Sequence, residues 1–428
     1  MIGAQQKKYD DCYGVRTEEP RRLLLVCTRN MSPGGGEQRL NDRTARAIWL
    51  ATGILTDLVN LTRSSRVDQA ASYVRQCPWY GDSVFLGWWP ATLASSLLRF
   101  EWTVQAMLDR HPSTQVMILS GGMPPWAARQ LIRLARTRRV RLIYNSHGTL
   151  SELTEYPHGR NPVVRCLFAV IAWLLRKGEA KAYVESDAIT VVSAELADSL
   201  RADYGVPKGR PEFVIPCGTE AMAASDDPTW RLQTREEWRS RLGFDAAETV
   251  FVYSGGGSAW QCVPETITLF EALVGQVEGK SRLCIFSQDP SITRLVADRA
   301  MRTSSSITIK ALDASDVLGA LTACDVGMML RKRDRTNRVA FPNKFSEYVQ
   351  AGCYVLLSDA TPAPARVARR YSVGSVVEDS DPSEYLHVID ERRRNLGAFY
   401  VKCDTAVAEA LDYGRNVKPL IEWVEHGS

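Results

Sequence analysis

Short, mainly apolar runs alternate with amphipathic stretches along the chain, and this alternation predicts buried parallel strands separated by helices. The predicted strands of the first half are 23–27, 83–86, 116–119, 141–145, 188–192 and 212–215. Those of the second half are 250–253, 282–286, 307–310, 326–330 and 354–357. Such an order is typical of doubly wound α/β proteins.

Helical periodicity predicts helices between these strands, with signals at several of their ends. The predicted helices include 41–59, 126–137, 194–202, 343–351 and a C-terminal helix over 405–425. Ser193 is a predicted N-cap, because a serine side chain can accept a bond from a free helical N–H. Pro342 suits the start of helix 343–351, and Gly352 follows it where a left-handed residue commonly ends a helix.

A polar stretch near the middle of the chain predicts the domain boundary. Residues 223–237 include Asp226, Asp227 and Pro228 and carry little apolar periodicity. We therefore predict a first domain over 1–222, with 1–20 as a loose arm, and a second over 223–404. The tail over 405–428 is expected to pack back on the first domain.

Composition and charge narrow the class of protein. The 428 residues are 45% hydrophobic and 24% charged, with a formal net charge of +4. This charge is too small to indicate nucleic-acid binding. Ten cysteines without a C-x-x-C pair predict reduced thiols rather than zinc or disulfides. With neither a signal peptide nor a membrane span predicted, we expect a cytoplasmic protein.

Helix 343–351 carries candidate ligand groups close to its positive end. Lys344 and Glu347 are three residues apart and share a face. Free N–H groups and a lysine favour a phosphate, and a carboxylate can accept bonds from sugar hydroxyls. A nucleotide is the hypothesis, and an amphipathic helix with two solvated charges is the alternative.

Three further features each allow two interpretations. His147 follows the predicted strand 141–145 and precedes Gly148. We interpret it as functional and not as a residue that fills the core, because ligands bind at this edge of α/β sheets. The glycines 34–36 could admit a ligand close to the backbone or form a flexible turn. We interpret the apolar helix 163–177 as a core helix, and its basic residues leave open that it lies on a membrane surface.

Five motifs together resemble the retaining family-4 glycosyltransferases of the GT-B fold, of the bacterial polysaccharide type. The most specific is NRVAFPNKFSEYVQAG at 337–352, similar to the donor-site signature of that class. The others are YSGGGSAWQ at 253–261, NSHGTLSELTEY at 145–156, IPCG at 215–218 and the glycine loop at 32–38. The likeness spans about 23–377 and implies two Rossmann-like domains facing across a cleft.

The resemblance also implies roles for individual residues. Glu347 would bind ribose hydroxyls, Lys344 would contact the diphosphate, and His147 would line the sugar pocket near the reacting carbon. His147 and Glu347 are thus the candidate catalytic residues. Further donor contacts are expected from Arg331, Asn337, Arg338, Ser254, Gly255, Gly256, Gly257, Pro342 and Asn343. Gly34, Gly35 and Gly36 would let donor phosphate or acceptor approach the backbone.

Three positions depart from the family pattern. Val339 stands where a first carboxylate is usual, so contacts to the donor sugar are expected from Asn337 or backbone amides. Gly256 and Gln261 stand where an arginine and a lysine often grip the diphosphate. We hypothesise that Arg331, Arg338 and Lys344 supply that charge.

These features predict metal-independent transfer of a sugar from a nucleotide-diphosphate donor to a hydroxyl acceptor with retention. The donor is a substrate, and no resident cofactor is expected. A lipid-linked or polysaccharide glycan is the expected acceptor, with peripheral contact at the inner membrane face left open. The alternatives are a non-hydrolysing nucleotide-sugar epimerase and a catalytically degenerate nucleotide-binding scaffold.

Overall fold

The structure, a computed structural model, describes most of the chain. The described residues are 21–28, 30–32, 36–88, 93–156, 162–205, 209–219, 229–277, 279–300, 307–378 and 382–426. The predicted arm over 1–20 and the candidate residues Gly34 and Gly35 lie outside them.

The first sheet has seven strands in the order β3-β2-β1-β4-β5-β6-β7. Its strands are β1 Arg22–Cys27, β2 Leu55–Arg63, β3 Tyr80–Trp88, β4 Thr114–Ser120, β5 Arg141–Ser146, β6 Ala188–Val191 and β7 Glu212–Val214. Central β1 pairs in parallel with both β2 and β4 and is almost entirely buried. A buried central strand of this kind needs helices on both faces of its sheet.

The second sheet has six strands in the order β10-β9-β8-β11-β12-β13. Its strands are β8 Thr249–Ser254, β9 Ser281–Phe286, β10 Ile307–Lys310, β11 Val326–Met329, β12 Tyr354–Leu357 and β13 Gly374–Val376. The strand pairs are parallel. Two parallel Rossmann-like sheets confirm the predicted α/β fold class.

Helices connect successive strands in both sheets. The first group is α1 Gly36–Thr52, α2 Val67–Val74, α3 Leu93–Arg110, α4 Pro125–Arg138, α5 Glu152–Glu155, α6 Pro162–Glu185 and α7 Ala194–Tyr204. The second group is α8 Trp230–Leu242, α9 Val263–Leu273, α10 Pro290–Ala300, α11 Val317–Thr322, α12 Arg335–Arg338, α13 Asn343–Ala351 and α14 Pro362–Tyr371. The C-terminal group is α15 Pro382–Arg394, α16 Leu396–Ala406 and α17 Tyr413–His426.

The predicted helix 41–59 is wrong in its last part. Helix α1 ends at Thr52, Gly53 follows with φ +71, and 55–59 belong to β2. Strand β2 is buried between β1 and β3, and its Asp57 pairs with Arg22 at 2.6 Å. Apolar spacing in this stretch fits either element, so strand pairing decides the outcome. The predicted helix 405–425 is also divided, because a π-helical turn over Val407–Leu411 separates α16 from α17.

The chain divides into two compact units. The first holds the described residues up to Tyr144, Glu185–Asp187 and those from Ile421 onward. The second holds the described residues of Asn145–Val184 and Ala188–Leu420. Within the first unit, both Arg141 Nη atoms donate to the carbonyls of Trp423 and Val424 at 2.7 Å. The predicted domain boundary at 222 stays a prediction.

A cluster of buried charges lies at the amino end of β11 in the second unit. Asp325 is fully buried and accepts bonds from Arg235 at 2.6 Å and Arg392 at 2.7 Å. Arg239 lies 3.5 Å from its second oxygen, which also accepts from the Val250 N–H at 2.8 Å. Burial alone would raise the pKa of the Asp325 carboxyl, but the arginines outweigh it and hold that pKa well below its ordinary value.

The described cysteines are all free thiols. Eight are buried, and Cys166 on α6 is exposed. The prediction of reduced thiols without zinc stays a prediction. None of the described helices is long and apolar enough to cross a membrane.

Candidate functional site

Helix α13 of the candidate site is held in place by buried side chains and by hydrogen bonds to two loops. Phe345, Tyr348 and Val349 are fully buried on its inner face. The Tyr348 hydroxyl accepts a bond from the Ser254 N–H at 2.8 Å, which ties α13 to the end of β8. Ser346 Oγ donates to the Cys217 carbonyl at 2.6 Å. The amino end of α13 is therefore held firmly beside two of the motif segments, 215–218 and 253–261.

Both ends of α13 agree with the prediction. Pro342 is the N-cap and its side chain makes no capping bond, as expected of a residue without a polar side chain. Gly352 follows the helix with φ +82. A Cβ there would lie 2.3 Å from the Tyr400 ring, so the position requires glycine for space as well as for conformation.

Lys344 is buried in the first turn of α13. Its Nζ donates to Gln261 Oε1 at 2.6 Å and lies 4.1 Å from the centre of the Tyr253 ring. Burial lowers the pKa of the Lys344 ammonium well below its ordinary value, the Arg331 guanidinium lowers it further, and the Glu347 carboxylate opposes both. Among the described residues the hydrogen-bond partner of Lys344 is a neutral amide, whereas a buried ammonium normally has an anionic partner.

Arg331 is the second cation of this site and follows β11. Its backbone N–H donates to Ser358 Oγ at 2.9 Å, which holds the segment between β11 and β12. Its Nε is buried, with no hydrogen-bond partner among the described residues. Within the described chain, no carboxylate lies within ion-pair distance of Arg331 or Lys344. A buried ammonium and a half-buried guanidinium without a carboxylate partner are well suited to an anionic ligand.

The glycine loop after β8 lies directly against Lys344. Gly255 has φ +138, and a Cβ there would lie 3.2 Å from Lys344 Nζ and 3.4 Å from Gln261 Oε1. The Tyr253 hydroxyl lies 2.5 Å from the Gly256 carbonyl oxygen, and the Gly257 N–H donates to Asp289 at 2.7 Å. The glycine at 255 thus places no side chain of its own against the ammonium.

Gly255→Ala is expected to weaken nucleotide binding about tenfold, because the new methyl group strains the backbone and displaces the ammonium. Backbone strain of this kind costs about 1–3 kcal/mol, which should also lower the melting temperature. The measurements are calorimetric titration and thermal unfolding. Gly275→Ala is the matched control, since nothing lies within 4 Å of a Cβ there. Equal effects at the two glycines would contradict the prediction.

Hydrogen bonds among its own residues hold the segment between β11 and α13 in its conformation. Asp334 caps α12 by accepting the Asn337 N–H at 2.8 Å. The Asn337 side-chain amide donates to the Lys332 carbonyl and to Asp334, both at 3.1 Å. Both amide N–H groups of Asn337 are therefore engaged inside the turn, and its contact with a donor sugar stays a prediction.

Val339 stands where the family pattern has its first carboxylate, and its side chain is buried. Its carbonyl accepts a bond from Ser193 Oγ at 2.6 Å. The same Oγ accepts the Leu196 N–H at 3.0 Å, which confirms Ser193 as the N-cap of α7. A buried side chain at 339 offers no group to a ligand.

Helix α5, which follows the histidine-glycine segment, contacts the segment just described. The Tyr156 hydroxyl hydrogen-bonds to Asp334, and the Tyr156 ring packs edge-on against Trp260 at 5.1 Å. Glu155 accepts bonds from the backbone N–H groups of Arg335 and Thr336 at 3.2 and 3.0 Å. Two of the motif segments recognised in the sequence, 145–156 and 253–261, therefore meet.

The structure brings some of the predicted site residues together and leaves others apart. The structure brings together Lys344, Arg331, Ser254, Gly255, Gly256 and Gly257 around the start of α13, which Pro342 and Asn343 begin. His147 lies half-buried in the turn after β5, and Gly36 is the first residue of α1. Glu347 is half-buried on α13. The roles assigned to these residues stay predictions.

Arg338 lies elsewhere, at a cavity of about 780 Å³. Glu195, Asp198, Arg333 and Asp359 also line this cavity. None of the described residues lining it belongs to the glycine loop or to α13. Of the three cations predicted to replace the missing loop charges, Arg331 and Lys344 are together and Arg338 is at this cavity.

Several contact residues were not singled out from the sequence as site residues. Tyr253, Tyr348, Tyr156 and Trp260 read as ordinary apolar positions, because nothing in their spacing shows that their polar ends meet loops far along the chain. In the described part of the chain, no three His, Cys, Asp or Glu side chains are placed to hold a metal ion. Metal independence stays a prediction.

Comparison with known proteins gives one family match. Residues 26–218 match the model described as the Glycosyl transferase 4-like domain. None of the curated proteins compared matches the chain.

Several solved structures share the fold. HepE of Anabaena in complex with UDP-glucose is 14% identical, with a TM-score of 0.64, covering 94% of this chain and 99% of that one. WaaG, a glycosyltransferase involved in lipopolysaccharide biosynthesis, is 15% identical, with a TM-score of 0.66 and coverage of 95% and 100%. A glycosyltransferase from Rickettsia africae ESF-5 is 10% identical, with a TM-score of 0.67 and coverage of 96% and 100%. At these identities the likeness shows the fold, the two-sheet GT-B arrangement.

Proposed function

We propose that this chain, a glycosyltransferase of the GT-B fold, moves a sugar from a nucleotide-diphosphate donor to a hydroxyl acceptor with retention of anomeric configuration and without a metal ion. The single observation that carries the proposal is the pair of cations at the amino end of α13, the buried Lys344 and the half-buried Arg331. The matching domain over 26–218 and the UDP and UDP-glucose bound in the HepE complexes support a nucleotide sugar as donor.

The diphosphate is the ligand that this site fits best. Two desolvated cations and a helix amino end attract a compact group of negative charge. The side chain of Pro342 makes no capping bond, so no polar side chain at the N-cap competes with a ligand at the amino end of α13. Gly255 lets a phosphate approach the backbone beside Lys344. Glu347, one turn further along α13, would accept bonds from the ribose hydroxyls.

The proposed transfer reaction depends on stabilising the negative charge of the leaving diphosphate. The bond between the anomeric carbon and the diphosphate oxygen breaks, and its electron pair stays on the diphosphate. Lys344, Arg331 and the α13 amides stabilise that developing charge. The acceptor oxygen bonds to the anomeric carbon on the same face, and its proton passes to the departing diphosphate oxygen. His147 would line the sugar pocket and position the reacting carbon. The proposed acceptor is a lipid-linked or polysaccharide glycan.

The test begins with the donor. A thermal-shift screen of uridine, guanosine and adenosine diphosphates and their sugars should identify one base that raises the melting temperature, because a ligand of the folded state stabilises it by mass action. UDP and UDP-glucose are the first probes. Arg331→Ala should remove the shift, whereas exposed Lys332→Ala should keep it. An Arg331→Ala variant with undiminished nucleotide affinity would refute the assigned role.

Product analysis separates the possible reactions. With donor and a glycan acceptor in the presence of EDTA, proton NMR should show a product with the donor's anomeric configuration. Incubation of donor alone should leave the sugar unchanged, since isomerised sugar would indicate an epimerase. Nucleotide binding without turnover for any acceptor would indicate a scaffold, an alternative that the buried Val339 favours.

The affinity for a nucleotide sugar is expected to fall as pH rises above the lowered pKa of Lys344. Burial and Arg331 lower that pKa in the free protein, and a bound diphosphate raises it. Between the two values, binding takes up a proton. Nearby Tyr253 and Cys262 do not compete, because burial raises their pKa values, that of Cys262 to about 11. Titration calorimetry in two buffers of different ionisation enthalpy measures the uptake, and Lys344→Met should abolish it.

A further inference from the structure

Helix α6 presents an apolar face to solvent. At 100° per residue, Cys166, Ala169, Val170, Trp173 and Lys177 share one side of the helix. All five are exposed, and Val170 and Trp173 are 55% and 58% accessible. An exposed tryptophan among exposed aliphatic residues is unusual on a surface with no binding role.

The opposite face of α6 is buried, so the orientation of the helix is determined by packing. Ala172, Ala182 and Tyr183 are almost fully buried. Glu179 is also buried and accepts a hydrogen bond from the Tyr204 hydroxyl. A rotation of α6 that buried Trp173 would expose these residues. Packing of the buried side therefore keeps the apolar face on the surface of the second unit.

The charged residues in this part of α6 are all basic. Residues 162–178 include Arg165, Arg176 and Lys177 and no acidic residue. Arg165 and Lys177 are exposed, and Lys177 Nζ lies 5.8 Å from the centre of the Trp173 ring. A basic apolar face of this kind is complementary to a membrane surface containing anionic lipid. A second copy of the same face is a poor partner, because its arginine and lysine would meet like charges.

A cavity of about 380 Å³ adjoins the amino-terminal part of this face. Apolar side chains dominate its lining, and Arg165 supplies a cation. The lining residues are Leu153, Thr154, Pro162, Arg165, Cys166 and Ala169. An apolar recess with one guanidinium suits a lipid headgroup, whose phosphate would meet Arg165 while its chain lies along Ala169 and Val170.

We infer that α6 docks the protein peripherally on a bilayer that contains anionic phospholipid. The docking face is formed by Cys166, Ala169, Val170, Trp173 and Lys177, with the exposed Leu167 and Arg165 on its two flanks. The helix lies in the plane of the interface, with its buried side against the protein. This inference does not depend on the transfer reaction, since it concerns a surface and not the donor site. It would place the enzyme where a lipid-linked acceptor resides.

Vesicle sedimentation tests the docking. Wild-type protein should bind vesicles of phosphatidylcholine with phosphatidylglycerol much better than phosphatidylcholine alone, and added salt should weaken binding. Leu167→Ser/Trp173→Ser should lower the partition coefficient at least about tenfold. Arg165→Gln/Lys177→Gln should lower it about fivefold for each charge. Leu50→Ser and Val401→Ser are controls, because both residues are 64% exposed on other helices.

Cys166 provides a direct probe of the same surface. It is the exposed cysteine among those described, so an environment-sensitive fluorophore can be attached there in a Cys12→Ser background. Its emission should shift to the blue with anionic vesicles and not with neutral ones.

Three results would overturn the inference. One is wild-type protein that fails to bind anionic vesicles. Another is vesicle binding that survives in both α6 double variants. Loss of that binding in Trp126→Ser would place the docking surface on α4 instead. The third is a dimer in sedimentation velocity that the α6 variants dissociate, without vesicle binding. Nucleotide titrations of the α6 variants should match wild type, so a failed donor site and a failed docking surface are distinguishable.

Discussion

Lys344→Met is expected to make the free protein more stable and to weaken nucleotide binding about 100-fold, or about 2.7 kcal/mol. The methionine retains most of the apolar stem beside Tyr253 but removes a buried ammonium whose hydrogen-bond partner is a neutral amide. Removing an uncompensated buried charge relieves its desolvation, and we expect a gain of about 1 kcal/mol in the free energy of unfolding. Opposite changes in stability and affinity are the signature of a residue retained for binding.

Urea unfolding and calorimetric titration measure the two quantities. Lys332→Met is the matched control, because Lys332 is an exposed lysine next to Arg331 in the chain. It should leave both quantities nearly unchanged. If Lys344→Met instead lowered stability and preserved affinity, the ammonium would be a structural partner of Gln261, and the proposed diphosphate site would be refuted.

Asp325→Asn is expected to destabilise the protein by about 3–5 kcal/mol. The substitution keeps the shape of the side chain but leaves three buried arginines without their counter-charge. These arginines also donate to the carbonyls of Thr322, Ala323 and Gly352. The variant should therefore loosen the ends of α11 and α13 together with the start of β11.

The acid dependence of stability gives a second readout of Asp325. Its pKa is lower in the folded than in the unfolded protein, so its contribution is present above the ordinary pKa of about 4 and is lost as pH falls. Urea midpoints between neutral and acid pH should fall less steeply for the variant. Asp316→Asn is the control, because its ion pair with Arg241 is partly exposed and 3.8 Å long. A loss at Asp325 no larger than at Asp316 would contradict the prediction.

Much of the local structure was predictable because it depends on neighbouring residues. The run over 354–357 and the stretch from Pro342 to Gly352 carry their own strand, start and stop signals, and the structure has β12 and α13 at those bounds. Ser193 is the predicted N-cap for the same reason. The predicted helix 41–59 is wrong in its last part because the structure there depends on residues far away in the chain. Leu55 and Val59 satisfy helical spacing, and only the pairing of β2 between β1 and β3 makes them strand.

By itself, the sequence determined the alternation of strands and helices, the positions of the glycine loops, and the presence of a lysine and a glutamate on one face of α13. Only the tertiary structure decided which side chains meet. Arg331 and Lys344 are separated by α12, and Gln261 is 83 residues from the lysine that it contacts. Strand order and burial, which no local pattern encodes, bring these residues together. The same packing removes the lysine from water and separates Arg338 from the other two cations.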